Sequence, residues 1–155
     1  MTDEMVCFSL YSASRATTQA YRALLAPWGL TYPQYLVLAA LWIEGDQTIG
    51  SLGAVMRLDS GTLSPLVRRL EQAGLVSRVR GEADERVVTV QLTDRGQALR
   101  AEVAPLHTAV AEAAGLSEDD RRTQLIAELH DITERLQRLT AGLAAPAPAP
   151  AGDSH

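Results

Sequence analysis

Apolar residues recur every three or four positions along most of this 155-residue chain, a spacing that places them on one face of an α-helix. The pattern predicts six helices: Met5 to Leu25, a second ended by Gly45, a short third capped by Thr48, a fourth between Asp59 and Gly74, a fifth from Asp94 and a sixth carrying Leu125 to Leu139. Two short valine-rich runs, 75–79 and 87–92, predict strands between the fourth and fifth helices. The expected fold is mainly α with a small β wing.

The fourth helix and the two strands are the most informative stretch. Asp59 or Ser60 can cap the helix, and Gly74 suits the left-handed position after its last turn. The segment between the strands, 80–86, is too charged to belong to a core. A short helix, a turn, a second helix and then a charged hairpin predict a winged helix-turn-helix, with the hairpin as its wing. The alternative is a helix packed on a hairpin in any small α+β domain.

The last helix carries a nearly heptad stripe made of Leu125, Leu129, Ile132, Leu136 and Leu139. Such a stripe at the end of a small domain favours a partner helix, so we expect a homodimer in which the initial and terminal helices interleave. The alternative is packing against the chain's own body. The expected organisation is one structural domain with an N-terminal sensor and dimerisation helix (1–30), a winged helix-turn-helix (31–93), C-terminal dimerisation helices (94–143) and a disordered tail rich in proline and alanine (144–155).

Charge is unevenly distributed along the chain. The net charge is −5, yet residues 57–100 contain eight arginines and six acids, while the rest contains six arginines and 13 acids. The positive segment coincides with the predicted helix-turn-helix and wing. Its small excess predicts DNA binding that needs two copies and depends on salt. All 14 basic residues are arginine, which suits bidentate contacts to phosphate or guanine, although genomic base composition explains the bias equally well.

Other chemistry is sparse in the sequence. No stretch approaches the roughly 18 consecutive apolar residues of a membrane span, and the N-terminus does not resemble a signal peptide, so we expect a cytoplasmic protein without a membrane partner. The histidines, His107, His130 and His155, are too scattered for a metal site, and no cofactor is expected. The single cysteine, Cys7, is either an inert small hydrophobe or a reactive thiol.

With this order of elements, the sequence resembles the MarR family of transcriptional regulators. The motifs that carry this resemblance are LEQAGLVSR at 70–78, DER at 84–86 and LTDRG at 92–96. A second set is similar to the organic-hydroperoxide-sensing OhrR branch of that family: CFSLY at 7–11, Tyr21, LTYPQY at 30–35 and LDSGTL at 58–63. The resemblance covers about residues 5–140.

The resemblance implies that Cys7 is a redox sensor whose thiolate is oxidised by organic hydroperoxides to a sulfenic acid. It also implies that Tyr21 and Tyr32 are contributed by the other subunit and hydrogen-bond the sulfur, with Tyr11 as a further wall of the sensor pocket. For each tyrosine the alternative is simple interface packing, which we prefer for Tyr11 and Tyr35. Because the chain has no second cysteine, a low-molecular-weight thiol would trap the sulfenic acid, or it would be over-oxidised.

DNA-contacting residues follow from the predicted helix and, for the wing, from the resemblance. The candidates are Asp59, Ser60, Thr62, Ser64, Arg68 and Arg69 on the fourth helix, and Arg78, Arg80 and Arg86 on the wing. The resemblance implies that Arg86 enters a narrow minor groove. The alternative is a solvated charged face in which Arg86 pairs with Asp84.

The sequence therefore predicts a dimeric repressor, and not an enzyme, that binds pseudo-palindromic double-stranded operator DNA while Cys7 is reduced and is released by organic hydroperoxide. Two rival functions stay open. One is a MarR-type repressor released by a small aromatic ligand, with Cys7 incidental. The other is a thiol peroxidase that uses Cys7 as its nucleophile, although no second cysteine is present to resolve the sulfenate.

Overall fold

The computed structural model describes residues 5–81 and 87–144, which form six α-helices, a 3-10 turn and a three-stranded sheet. In chain order the elements are α1 (Val6–Leu25), the 3-10 turn (Ala26–Trp28), α2 (Tyr32–Glu44), β1 (Gln47–Thr48), α3 (Ile49–Met56), α4 (Ser60–Gln72), β2 (Val76–Arg80), β3 (Val88–Leu92), α5 (Asp94–Ala113) and α6 (Asp119–Ala144). The predicted mainly α fold with a β wing is confirmed. Residues 82–86, which include Arg86, and the predicted tail beyond Ala144 lie outside the described residues.

Helix α2 forms the centre of the core because nearly all of its side chains are apolar. Val37, Leu38 and Leu41 are almost fully inaccessible to solvent. The helix begins with a capping box: the Thr31 hydroxyl accepts a hydrogen bond from the Gln34 amide, and the Gln34 side-chain oxygen accepts one from the Thr31 amide. This reciprocal arrangement gives the side-chain oxygen of the buried Gln34 a hydrogen-bond donor and fixes the start of α2. Gly45 ends the helix, as the sequence predicts.

Helices α3 and α4 form the helix-turn-helix. Thr48 caps α3 by accepting a hydrogen bond from the Ser51 amide, and Arg57 turns the chain in a left-handed conformation (φ 54°). Asp59 then caps α4 through the Thr62 amide, at 2.8 Å. The predicted capping choice between Asp59 and Ser60 is thus resolved in favour of Asp59, because Ser60 is already helical.

The sheet contains one strand more than the sequence predicts. β3 lies in the centre, with β2 antiparallel on one side and the two-residue strand β1 antiparallel on the other. Gln47 and Thr48 of β1 pair with Val90 and Thr89. A two-residue strand has no periodicity to detect in the sequence, and only its tertiary pairing reveals it. β1 joins the base of the wing to the start of α3.

The hairpin is fastened to the start of α5 by a dense set of hydrogen bonds. The Thr93 amide donates to the Leu75 carbonyl, and the Thr93 hydroxyl donates to the Gly74 carbonyl at 2.7 Å while accepting from the Gly96 amide. Trp42 of α2 donates through its indole Nε1 to the Gly96 carbonyl at 3.0 Å. These contacts hold the wing, α2 and α5 in one arrangement.

The described residues divide into two compact units between Val110 and Ala111. The first contains α1 to α4, the sheet and most of α5, whose residues Leu99 and Val103 are buried in the core. The second carries α6, on which large apolar side chains are exposed to solvent. These side chains are Ile126, Leu129, Leu136, Leu139 and Leu143.

Candidate functional site

The outward face of α4 is the first part of the candidate site. Leu63, Val67 and Leu70 bury one face of the helix completely. Because successive residues are separated by about 100° around a helix, Gly61 and Pro65 lie almost opposite that buried face. The outward surface is lined by Ser60, Gly61, Ser64, Pro65, Arg68, Arg69 and Gln72. Four residues predicted from sequence therefore share one solvent-facing surface: Ser60, Ser64, Arg68 and Arg69.

Asp59 and Thr62, also predicted to contact DNA, are hydrogen-bonded to each other. The two oxygens of the Asp59 carboxylate accept from the Thr62 amide at 2.8 Å and from the Thr62 hydroxyl at 2.9 Å. These bonds lower the pKa of Asp59, the bond from the backbone amide most of all. The pair fixes the beginning of α4, and this structural function explains both residues without any contact to DNA.

The two described wing arginines differ in their surroundings. Arg78 on β2 forms an ion pair with Glu71 of α4, at 2.7 Å, and this bond lowers the pKa of Glu71. Arg80 is exposed at the end of the same strand. A groove between α3, α4 and the hairpin is lined by Thr48, Ile49, Gly50, Ser64, Arg78, Val87 and Val88. Arg78 thus lies beside Ser64 of α4, as expected for a surface shared by the helix and the wing.

Cys7 lies in the first turn of α1 and its side chain is exposed. Tyr11 follows one turn later and is 57% exposed. Its hydroxyl accepts a hydrogen bond from the Arg15 guanidinium at 3.2 Å, and that guanidinium also lies 5.8 Å from the centre of the Tyr11 ring. Since residues four apart share a helical face, Cys7, Tyr11 and Arg15 form one exposed strip along α1. Arg15 is not among the residues predicted from sequence.

Three tyrosines stack at the other end of α1. The rings of Tyr21 and Tyr32 are 4.3 Å apart and nearly parallel, and Tyr35 stacks on Tyr21 at 5.3 Å. The cluster therefore joins α1 to α2 through ring stacking. Burial, helped by the neighbouring tyrosines, raises the pKa of Tyr21 to about 12 and also raises the pKa of Tyr32. All three phenols therefore stay neutral donors at physiological pH.

The structure does not bring Cys7 to the stacked Tyr21 and Tyr32 of its own chain. Fourteen residues of continuous helix separate Cys7 from Tyr21, which corresponds to about 21 Å along α1. A phenol at Tyr21 cannot reach a sulfur atom at that distance. Within one chain the predicted sensor pocket is thus incomplete.

Sequence reasoning missed Gly61, Pro65 and Gln72, which occupy the middle of the outward face of α4. The signal was present: counting at 100° per residue from Leu63 and Val67 identifies the positions opposite the core. The sequence-based candidates are charged or hydroxyl side chains, and glycine, proline and glutamine are neither.

Within 5–81 and 87–144, no three histidine, cysteine, aspartate or glutamate side chains converge as a metal site would require. In the same part of the chain, no helix has the length and apolar content to cross a membrane.

Comparison with known proteins agrees with this geometry. A family model described as transcriptional regulator SarA/Rot matches residues 19–103. The chain is 46% identical over 123 residues to the HTH-type transcriptional regulator TtmR of Methylorubrum extorquens, covering 79% of this chain but only 63% of that protein. It is 38% identical over 136 residues to the organic hydroperoxide resistance transcriptional regulator of Bacillus subtilis, covering 88% and 92% of the two chains.

Solved structures extend the comparison to complexes with DNA. Reduced AbfR bound to DNA superposes with a TM-score of 0.70 at 37% identity, covering 84% of this chain and 91% of that one. Over-oxidised AbfR bound to DNA superposes with a TM-score of 0.68 at 40% identity, covering 84% of this chain and 90% of that one. The crystal structure of AbfR of Staphylococcus epidermidis superposes with a TM-score of 0.74 at 36% identity, covering 86% of this chain and 91% of that one. These DNA-bound relatives support DNA binding by the same winged fold.

Proposed function

The chain belongs to the SarA/MarR-type family of transcriptional regulators, and on that premise we propose that it is a dimeric repressor whose affinity for operator DNA is set by the oxidation of Cys7. The observation that carries the sensing proposal is the exposure of Cys7 in the first turn of α1. The 38% identity to the B. subtilis organic hydroperoxide resistance regulator supports an organic hydroperoxide as the inducer.

A second copy of the chain would complete the sensor pocket. Tyr21 is about 21 Å from Cys7 along α1, and Tyr32 of α2 stacks on Tyr21. Both phenols stay protonated because burial raises their pKa values. A neutral phenol is a suitable hydrogen-bond donor to a thiolate. The exposed apolar side chains of α1 and α6 support dimerisation, because a monomer would leave them in water.

The chemical step needs only the peroxide and a small thiol. The Cys7 thiolate attacks the terminal peroxide oxygen, so that an S–O bond forms, the O–O bond breaks and the alkoxide leaves as an alcohol after protonation. Sulfur is oxidised and the peroxide is reduced. A low-molecular-weight thiol then displaces water from the sulfenic acid to form a mixed disulfide. We assign release from DNA to this mixed disulfide, because AbfR has been crystallised on DNA in its over-oxidised form as well as its reduced form.

The DNA-binding surface in this proposal is the outward face of α4 together with the wing. The residues that would contact bases or phosphates are Ser60, Ser64, Arg68 and Arg69. Arg80 would contact the phosphate backbone of the DNA. Asp59, Thr62 and Arg78, whose side chains already have partners within the chain, stay predictions from sequence as DNA-contacting residues, and so does Arg86, which lies outside the described residues. Release would follow when a bulkier group on Cys7 separates the subunits and changes the spacing of the two α4 helices.

The decisive experiment measures binding to the DNA upstream of the chain's own gene. Wild type, Cys7→Ser and the nearby control Ser9→Ala are treated with tert-butyl hydroperoxide and free cysteine, and the adduct is identified by mass spectrometry. We expect wild type and Ser9→Ala to lose DNA and recover it with dithiothreitol, while Cys7→Ser stays bound. Equal responses of wild type and Cys7→Ser would overturn the sensing proposal and favour release by an aromatic ligand. Steady peroxide turnover with a thiol reductant would instead favour a thiol peroxidase.

Mixed dimers test whether the tyrosines act across subunits. In a dimer of one Cys7→Ser chain and one Tyr32→Phe chain, the remaining Cys7 faces an intact Tyr32 only if that tyrosine comes from the other subunit. We expect Cys7 to be oxidised at the wild-type rate in this mixed dimer and more slowly in the Tyr32→Phe homodimer. Equal, slow rates in both would show that Tyr32 acts within its own chain.

A further inference from the structure

Pro65 is placed where a proline usually harms a helix. It occupies the sixth position of α4, beyond the first turn, and its side chain is exposed. An interior proline removes one backbone hydrogen bond, and no other residue disfavours a helix interior as strongly. Because the ring lies opposite Leu63 and Val67, it contributes nothing to the core that could offset this cost. Unlike Pro105, which is an exposed proline inside α5, Pro65 shares its surface with Ser64 and Arg68, so its cost to the helix points to a requirement at that surface.

Gly61 lies one turn before Pro65 on the same surface. Proline has no N–H group, so the helical hydrogen bond from position 65 to the Gly61 carbonyl cannot form. Glycine presents no side chain at this point, so another molecule can approach the helix backbone closely. Together the two residues form a smooth, apolar spot in the middle of the outward face of α4, with the polar Ser64 and Arg68 beside it.

The major groove of DNA offers one apolar group to such a spot. Each base pair presents hydrogen-bonding atoms there, and only thymine adds a methyl group, on C5. We propose that Pro65, with Gly61 allowing close approach, is a specificity-determining residue that packs on a thymine methyl group in each operator half-site. This inference rests on the proposed DNA-binding function and adds to it the chemical identity of one base in the site. It also explains why the most outward residues of α4 are not charged.

The test removes the methyl group and the ring separately. A duplex is selected from random DNA with wild-type protein, and each thymine is then replaced by deoxyuridine, which lacks the methyl group. We expect one thymine per half-site at which the replacement weakens wild-type binding by about fourfold, as for loss of one buried methyl group. With Pro65→Gly the same replacement should have no effect. Glycine disfavours a helix less than proline does, so this variant should fold at least as well as wild type.

Pro105→Gly is the matched control, because Pro105 is also an exposed proline inside a helix, α5. It should reproduce the wild-type response at every thymine. If a specific duplex is selected but every replacement affects wild type and Pro65→Gly equally, the assignment of Pro65 is wrong while the DNA-binding function stands. If wild-type protein selects no sequence from the library, both the function and the assignment are overturned.

Discussion

Replacing Gly96 by alanine should be among the most damaging small changes in this chain. An alanine Cβ at this position would lie 2.0 Å from the carbonyl oxygen of Leu75 and 3.2 Å from a methyl group of Leu92. The first neighbour is backbone and cannot rotate away. Reaching ordinary contact at about 3.4 Å requires α5 and the start of the hairpin to separate by roughly 1.4 Å.

The magnitude follows from what that separation breaks. Overpacking of a tight contact costs about 1–3 kcal/mol. The hydrogen bonds from the Thr93 amide to Leu75 and from the Trp42 indole to Gly96 span the same junction, and each contributes about 1 kcal/mol. The higher helix propensity of alanine offsets roughly 0.5–1 kcal/mol of this loss in the free energy of unfolding. We expect Gly96→Ala to lower the free energy of unfolding by about 2–4 kcal/mol, a large share of the stability of a typical domain.

Urea unfolding measures this loss. The protein concentration is held fixed, because the proposed dimer would make the stability depend on it. The control is Gly50→Ala in α3, where the added Cβ meets nothing closer than 3.9 Å. This variant should gain about 0.5–1 kcal/mol from helix propensity alone. The reasoning fails if the two substitutions shift the unfolding midpoint in the same direction, because the contact with Leu75 would then not control the outcome.

Four further predictions concern other parts of the molecule. Leu63→Ala should destabilise the fold by about 2–5 kcal/mol in urea unfolding, because this side chain is fully buried between α4 and the core. Trp42→Phe should cost about 0.5–1.5 kcal/mol in the same assay, because the carbonyl of Gly96 loses its indole donor. For Tyr21, whose folded pKa is about 12 against an unfolded value of 10.0, stability is complete below pH 10 and falls as pH rises from 10 to 12. Tyr21→Phe should show a smaller fall over that window. Arg80→Ala should weaken DNA binding equally for all sequences and reduce the slope of log affinity against log salt by about 0.9, as for one lost phosphate contact.

The proposed division of the sensor between two chains would have a practical consequence. Cys7 and the tyrosine cluster occupy opposite ends of α1, so substitutions in one end should alter redox behaviour without unfolding the other. The stacking of Tyr21 on Tyr32 and Tyr35 links the cluster to α2, which is the centre of the core. A change at the tyrosines is thus coupled to the helix that also supports α3 and α4.

Much of this protein could be predicted from the sequence because local signals agree with one another. The capping residues Thr31, Thr48 and Asp59 and the stop signal Gly74 act on their own neighbours in the chain, so helix boundaries follow from them. The buried face of α4 follows equally well, because helical periodicity places its leucines together whatever they pack against.

Tertiary structure alone decided the features that depend on residues far apart in sequence. Strand β1 exists only because β3 lies beside it, and Gly96 is required only because Leu75 approaches it across 21 positions of the chain. Arg78 is held by Glu71, and the Trp42 indole donates to the Gly96 carbonyl across 54 positions of the chain. The physical reason is common to all four. Periodicity and capping are encoded within one or two helical turns, whereas a contact depends on where the completed elements meet.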